Sequence, residues 1–244
     1  MALGMFCAVP LPFHIWDDDC MNLTLACFPV VGAVVGALWW GAAALLRLGA
    51  AHMMIASAAV AALPFLLTGF LHLDGYMDTS DAILSRRPLD EKLRILKDPH
   101  MGAFSAIMLA ILFLLQFAAA YAVMDGGKSL AALAAVSVTA RCCASAALLG
   151  LKAMPQSGYG NMLKRNTGKP HMIFVAACAS AAIAFSYVTA GPGGVLAALF
   201  CAAGFAGAMA YAYKEFKGVS GDLTGFSLVI GELAGLLAYG VYTT

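Results

Sequence analysis

The run "MMIASAAVAALPFLLTGF" at 53–70 leads directly into "LHLDGYMDTSDA" at 71–82. The first piece is apolar enough for a bilayer; the second carries Asp74, Asp78 and Asp81. If 72–84 is helical, Asp74 and Asp78 are i,i+4 neighbours and Asp78 and Asp81 are i,i+3 neighbours, so all three share one face. Like charges at that spacing repel, so a helix does not place them there for its own stability. A divalent cation converts the repulsion into attraction, and hard Mg²⁺ takes carboxylate oxygens while keeping waters or substrate phosphates. Gly75 removes side-chain bulk between the first two aspartates, so a ligand or a neighbouring helix can come close. His72 is a candidate phosphate or proton partner. The plainer reading is a solvated helix end with acids that align by chance, but ionisable residues at membrane depth point to function. The segment lacks the DxDxDG pattern and closing Glu of an EF-hand.

The rest of the chain supports a membrane setting. Of 244 residues, 62% are hydrophobic and only 11% charged, against about 25% charged in a soluble domain. The net charge of +1 offers no argument for nucleic-acid binding. Seven cysteines show no CxxC spacing and mostly sit in apolar runs, where Cys acts as a small hydrophobe. The opening residues lack the basic start and cleavage site of a signal peptide, so the first span is expected to be retained.

A span needs about 20 apolar residues. Seven segments qualify, near 24–46, 53–71, 102–124, 129–151, 172–190, 194–213 and 224–242. The expected fold class is therefore all-α: one polytopic integral membrane domain over 1–244, with about seven transmembrane helices. The second span is the weakest, interrupted by Pro64 and Gly69. The fifth and sixth are parted only by "GPGG" at 191–194, a turn signal. Alternating sides after each span puts eleven Lys and Arg on one face and two, Arg47 and Lys128, on the other. Basic residues mark the cytoplasmic side, so the N-terminus is expected inside. The acidic segment, "GYGN" at 158–161, "NTGKP" at 166–170 and "GVSGD" at 218–222 then face the cytoplasm. The opposite loops look short and chemically plain.

"LDEKLRILKDPHMGAF" at 89–104 reads as a short amphipathic helix, with Leu89, Leu93 and Leu96 as its apolar stripe and Lys92, Arg94 and Lys97 polar; such a helix can lie along a membrane surface. Asp98 and His100 follow where it meets the third span. Asp222 and Glu232 form a second acidic pair, and Glu232 lies inside the last span. Arg141, inside the fourth, is either its structural partner or a phosphate clamp, because its guanidinium fork matches phosphate geometry.

Together these motifs resemble the cobalamin synthase family of adenosylcobinamide-GDP ribazoletransferases. "HLDGYMDTSD" (72–81) and "LKDPHMGAF" (96–104) are similar to its signature elements. "VPLP" (9–12), "FPVVGAVVGAL" (28–38), "AR" (140–141) and "GVSGDLTG" (218–225) match in order and spacing. Pro99, Ala82, Ala8 and Val229 stand where family members commonly carry other residues. The resemblance implies attack by α-ribazole, or its 5′-phosphate, on the cobinamide-linked phosphorus of adenosylcobinamide-GDP, with release of GMP, at the bacterial inner membrane. It implies Mg²⁺ on Asp74, Asp78 and Asp81, with Asp81, beside Asp78 and His72, as the catalytic base. It implies substrate contacts from Arg141, Lys97, Asp98, His100, Asp222 and Glu232. Self-association is left open. Two other classes compete. CDP-alcohol phosphotransferases also use helical aspartates, but their D-x-x-D-G-x-x-A-R order is not that of 74–82. A proton- or ion-coupled transporter predicts carboxylates at mid-depth in several spans, and only Glu232 approaches that.

Overall fold

The computed structural model describes residues 1–10, 12, 17, 20–49, 52–154 and 168–242. Within these the chain is helical, with no named strand. Two short helices, α1 (Ala2–Phe6) and α2 (Met21–Ala26), precede α3 (Phe28–Leu48), α4 (Met53–Leu67), α5 (Leu71–Leu84) and α6 (Leu89–Ile95). Then come α7 (Ala103–Asp125), α8 (Ala131–Gly150), α9 (Lys169–Phe216) and α10 (Gly221–Val241). The "GYGN" segment and residues 166–167 lie outside the described residues.

Helix boundaries follow local chemistry. Pro29 stands in the first turn of α3, where its missing N–H costs nothing. Pro64 lies inside α4 and cannot donate to the Val60 carbonyl. The indole N–H of Trp39 in α3 donates to that carbonyl instead, at 2.7 Å. The gap left by a proline thus becomes the tie between α3 and α4. The α4 helix ends at Leu67 because Gly69 (φ 59°) and Phe70 (φ 62°) both adopt left-handed backbone. For Phe70 that conformation costs on the order of 1–2 kcal/mol. The two residues turn the chain by 91°, so α5 leaves the direction of α4.

Among the described residues five helices, α3, α7, α8, α9 and α10, are long and apolar enough to cross a membrane, or up to six if the bent α4–α5 pair forms one span. This count takes α9 as one helix and leaves the 15-residue α4 out unless it is joined to α5, so it does not confirm the expected seven. The 48 residues of α9 would reach about 72 Å if straight. They do not run straight. Gly191 breaks the helix (φ 62°, ψ −154°), Pro192 follows, and a β-carbon on Gly194 would lie 2.6 Å from the Ser186 carbonyl oxygen. Residues eight apart in a continuous helix are about 12 Å apart, so the chain doubles back. The arms 169–190 and 192–216 are the two segments that the "GPGG" turn signal separated.

The centre of the bundle is α8, buried nearly all round and rich in Ala, Ser and Cys. It packs on α3, α9 and α10. Small side chains let backbones approach, the usual solution where lipid provides no hydrophobic drive between helices. Gly36 and Gly32 of α3 sit against Ala134 and Ser137 of α8, and the Ser137 hydroxyl donates to the Gly32 carbonyl at 3.0 Å.

The bundle has two chemically distinct rims. At one, Arg47 donates to the carbonyls of Lys128 (2.7 Å) and Val123 (2.8 Å). Lys128 in turn donates to the carbonyls of Tyr239 (2.9 Å) and Gly240 (2.6 Å), and the Tyr239 hydroxyl donates to the Ser129 carbonyl at 3.0 Å. Cations thus satisfy open C-terminal carbonyls of α7 and α10. These loops, which look plain in sequence, form a cap. The other rim lies one length of α7 away, about 35 Å, and carries the acidic segment.

Candidate active site at the crossing of α5 and α10

Two glycines create the site. A β-carbon on Gly75 would lie 2.7 Å from the Asp222 carbonyl oxygen and 2.9 Å from its Cα. One on Gly225 would lie 3.1 Å from the His72 carbonyl oxygen. Each helix therefore uses a glycine to admit the other's backbone. The ligand-or-helix alternative at Gly75 resolves to a helix, α10. Asp222 stands in the first turn of α10, which the Ser220 hydroxyl caps by accepting from the Leu223 N–H at 3.3 Å. Tyr76 stacks on Phe226 at 5.8 Å between ring centroids, and its hydroxyl donates to the Met108 carbonyl of α7 at 3.2 Å. The Ser105 hydroxyl donates to the Met77 carbonyl at 2.9 Å. So α5 is held between α7 and α10.

This crossing gathers four carboxylates. Asp78 lies within Coulombic reach of Asp74, Asp222 and Asp81. Asp74 and Asp222 are exposed, and Asp78 and Asp81 are half-buried. The Asp81 carboxylate rests on Gly102, where a β-carbon would fall 2.1 Å from its Oδ2. Gly102 is the N-cap of α7, and the positive end of that helix favours an anion there. Asp222, 141 residues away in sequence from Asp81, belongs to the same cluster.

The other candidates lie elsewhere. Arg141 and Glu232 are 1% and 3% exposed and form a buried ion pair. Arg141 also donates to the Ser137 hydroxyl (3.0 Å) and carbonyl (3.2 Å), and its Cδ lies against Gly32. The pair joins α8 to α10 inside the bundle. His72 is 7% exposed, next to Phe28 (5.6 Å) and Phe6 (6.5 Å) and within Coulombic reach of Arg141. Its Nε2 has no hydrogen-bond partner. Lys97, Asp98 and His100 are exposed in the connection from α6 to α7. Asp98 Oδ1 accepts from the His100 N–H at 3.0 Å and faces the His100 ring Nδ1 at 2.7 Å. That backbone hydrogen bond and then the ring hold the Asp98 carboxyl below the usual carboxylate range.

The amphipathic helix is shorter than its sequence suggests, and its faces differ from expectation. It ends at Ile95. Leu96 is buried, and Leu89 and Leu93 pack on the core formed by Phe65, Leu73 and Tyr76. The apolar stripe is therefore used by the protein itself. Lys92, expected on the polar face, is buried and paired with Glu215 at the end of α9.

Mg²⁺ can be tested against these residues. Hard carboxylate oxygens are the right donors, and Mg²⁺ is commonly held by one or two carboxylates with water and phosphate completing its shell. Among the described residues no group of three His, Cys, Asp or Glu converges tightly enough to enclose an ion alone. The cluster fits an ion held by a pair of carboxylates and shared with a phosphate substrate.

An acidic site at one rim of a bundle of apolar helices defines a multi-pass membrane protein with polar chemistry at its edge. The cobalamin-5-phosphate synthase family model matches residues 1–240, and the chain belongs to that family. A relative from Clostridium botulinum named adenosylcobinamide-GDP ribazoletransferase is 36% identical over 244 residues, covering all of this chain and 96% of that protein. Proteins of the same name from Clostridium perfringens (33% over 241 residues, 99% of this chain and 96% of that one) and Pseudomonas savastanoi pv. phaseolicola (34% over 219 residues, 89% and 87%) are also similar. No solved structure matches. A transferase is thereby supported.

Proposed function

We propose that the protein joins α-ribazole, or its 5′-phosphate, to adenosylcobinamide-GDP and releases GMP. The observation that supports this most directly is the crossing at Gly75, which brings Asp222 to the aspartates of α5. In the reaction an acceptor hydroxyl forms a new bond to the cobinamide-linked phosphorus. The bond from that phosphorus to the bridging oxygen of GMP breaks, and the hydroxyl proton passes to a carboxylate. Asp81 is assigned that role: it is half-buried, and its carboxylate is seated against Gly102 at the start of α7, apart from the Asp74 and Asp78 pair. Asp74 and Asp78 are the pair that would hold Mg²⁺, with Asp222 nearby in the same acidic cluster. When bound, the ion neutralises charge on the diphosphate, the main requirement of phosphoryl transfer. The acidic rim faces the cytoplasm of a bacterial inner membrane. The support is the basic loops around it, with Arg86, Arg87, Arg94, Lys97, Lys152 and Lys217 on that rim and Arg47 and Lys128 on the other.

The experiment is turnover of adenosylcobinamide-GDP with α-ribazole by purified protein in nanodiscs, following GMP release and corrinoid product. Product that depends on added Mg²⁺, is lost with EDTA, and falls at least 100-fold in Asp78→Asn is expected. Absence of corrinoid product with active, folded protein sinks the reading.

A further inference from the structure

Along α6 and the start of its connection to α7 lies a cleft of about 680 Å³, lined by Arg87, Glu91, Leu93, Arg94, Ile95, Lys97 and Asp98. We propose that this cleft is a nucleoside-diphosphate site: Arg94 and Lys97 take the diphosphate, and Leu93 and Ile95 accept the base. The proposal rests on the transferase reading above and assigns one end of its donor to a place in the fold.

Charge accounting favours phosphate. Arg87 is paired with Glu91 (3.7 Å) and Asp98 is engaged by His100. Arg94 and Lys97 are exposed and make no ion pair within 4 Å among the described residues; with Arg87 they set three cations against Glu91 and Asp98 in the lining, an excess of one positive charge, with Arg94 within Coulombic reach of Asp98. A guanidinium beside an ammonium suits two adjacent phosphates, the first by bidentate hydrogen bonding and the second as a point charge. The volume falls in the range of about 300–1,000 Å³ typical of small-molecule sites.

Position favours the same ligand. Asp98, in the lining, lies four residues before Gly102, on which Asp81 rests, so the two are at most about 14 Å apart along the chain. A nucleotide seated there presents its phosphorus to the acidic cluster, while the cluster itself offers only negative groups. A lipid headgroup shares the phosphate chemistry. The packing of α6 argues against it, because Leu89 and Leu96 are turned onto the protein core and only the partly buried Leu93 and Ile95 are left to line the cleft. A phosphate monoester shares it too, but leaves the second cation and the apolar floor unused.

The test is equilibrium binding to the full chain in phosphatidylcholine nanodiscs with EDTA present. The probes are GDP, ribose 5-phosphate, and vesicles containing phosphatidylglycerol. Wild type is expected to bind GDP at least tenfold more tightly than ribose 5-phosphate. Arg94→Gln/Lys97→Gln weakens GDP binding at least tenfold, and the charge-conserving Arg94→Lys/Lys97→Arg restores most of it. The proposal is overturned if wild type does not bind GDP, or if ribose 5-phosphate binds as well as GDP. It is also overturned if the double neutral variant keeps its GDP affinity while losing only vesicle binding. The two readings separate cleanly. Wild type that binds GDP as described but forms no corrinoid product refutes the transferase reading alone. Product formation with an unchanged donor KM in the double neutral variant refutes the cleft alone.

Discussion

Gly75 and Asp222 touch backbone to backbone: a single added carbon at 75 would lie 2.7 Å from the Asp222 carbonyl oxygen. The neighbour is main chain, which cannot rotate away, so the helices must separate. Gly75→Ala is expected to cost about 1–3 kcal/mol through overpacking and to lower turnover further by moving Asp222 away from α5. Thermal unfolding in nanodiscs and GMP release measure the two effects. Wild-type values for both would show that the crossing is not tight.

Arg141 and Glu232 form the buried link between α8 and α10. Glu232→Gln or Arg141→Met alone leaves an uncompensated charge or donor fork in the bundle, with an expected loss of about 3–5 kcal/mol. Arg141→Met/Glu232→Leu removes both charges and should recover most of that loss. A double-mutant cycle on unfolding measures the coupling. Single variants as stable as wild type would show that the pair is not closed.

Gly102→Ala acts differently, because the group it meets is the mobile end of Asp81. The carboxylate can swing aside, so stability should fall by less than about 1 kcal/mol. Turnover should fall by about 10–100-fold, the scale of an ångström-level misplacement of a reacting group. Equal loss of turnover and of folded protein would contradict this separation.

Asp98 supplies a pH dependence. Its folded pKa is depressed by the His100 N–H and ring, so the turn's contribution is fully present above the ordinary Asp value of about 3.9. It is lost as pH falls through the lower folded value. Amide exchange at His100 should accelerate below about pH 4 in wild type, and already at neutral pH in Asp98→Ala. Protection that is independent of pH in wild type would refute the link.

Much of this was readable in the chain because it is written at short range. The spacing of Asp74, Asp78 and Asp81 needs only helical geometry, and "GPGG" announced the reversal at Gly191. The residues that depend on distant partners were harder. Gly69 signalled an interruption, but Phe70 beside it also adopts a left-handed backbone that no sequence pattern announces, so the expected span 53–71 overran the bend. Lys92 reads as polar, yet its partner Glu215 is 123 residues away. Gly102 sits in a recognisable motif, but only the fold shows that its missing side chain is the seat for Asp81. The expected first span began at 24, whereas α3 starts at Phe28, because Pro29 is a strong helix opener that outweighs simple hydropathy.

The Arg47–Lys128 cap makes the two ends of the bundle mechanically unequal. At that rim, loop and helix ends are riveted by charge-assisted bonds to main-chain carbonyls, which a rotamer change cannot easily release. At the acidic rim the helices meet through glycines and carboxylates that repel one another. The two ends of the bundle are therefore fastened by different chemistry: loss of a cation undoes the first, and a single added carbon at Gly75 undoes the second.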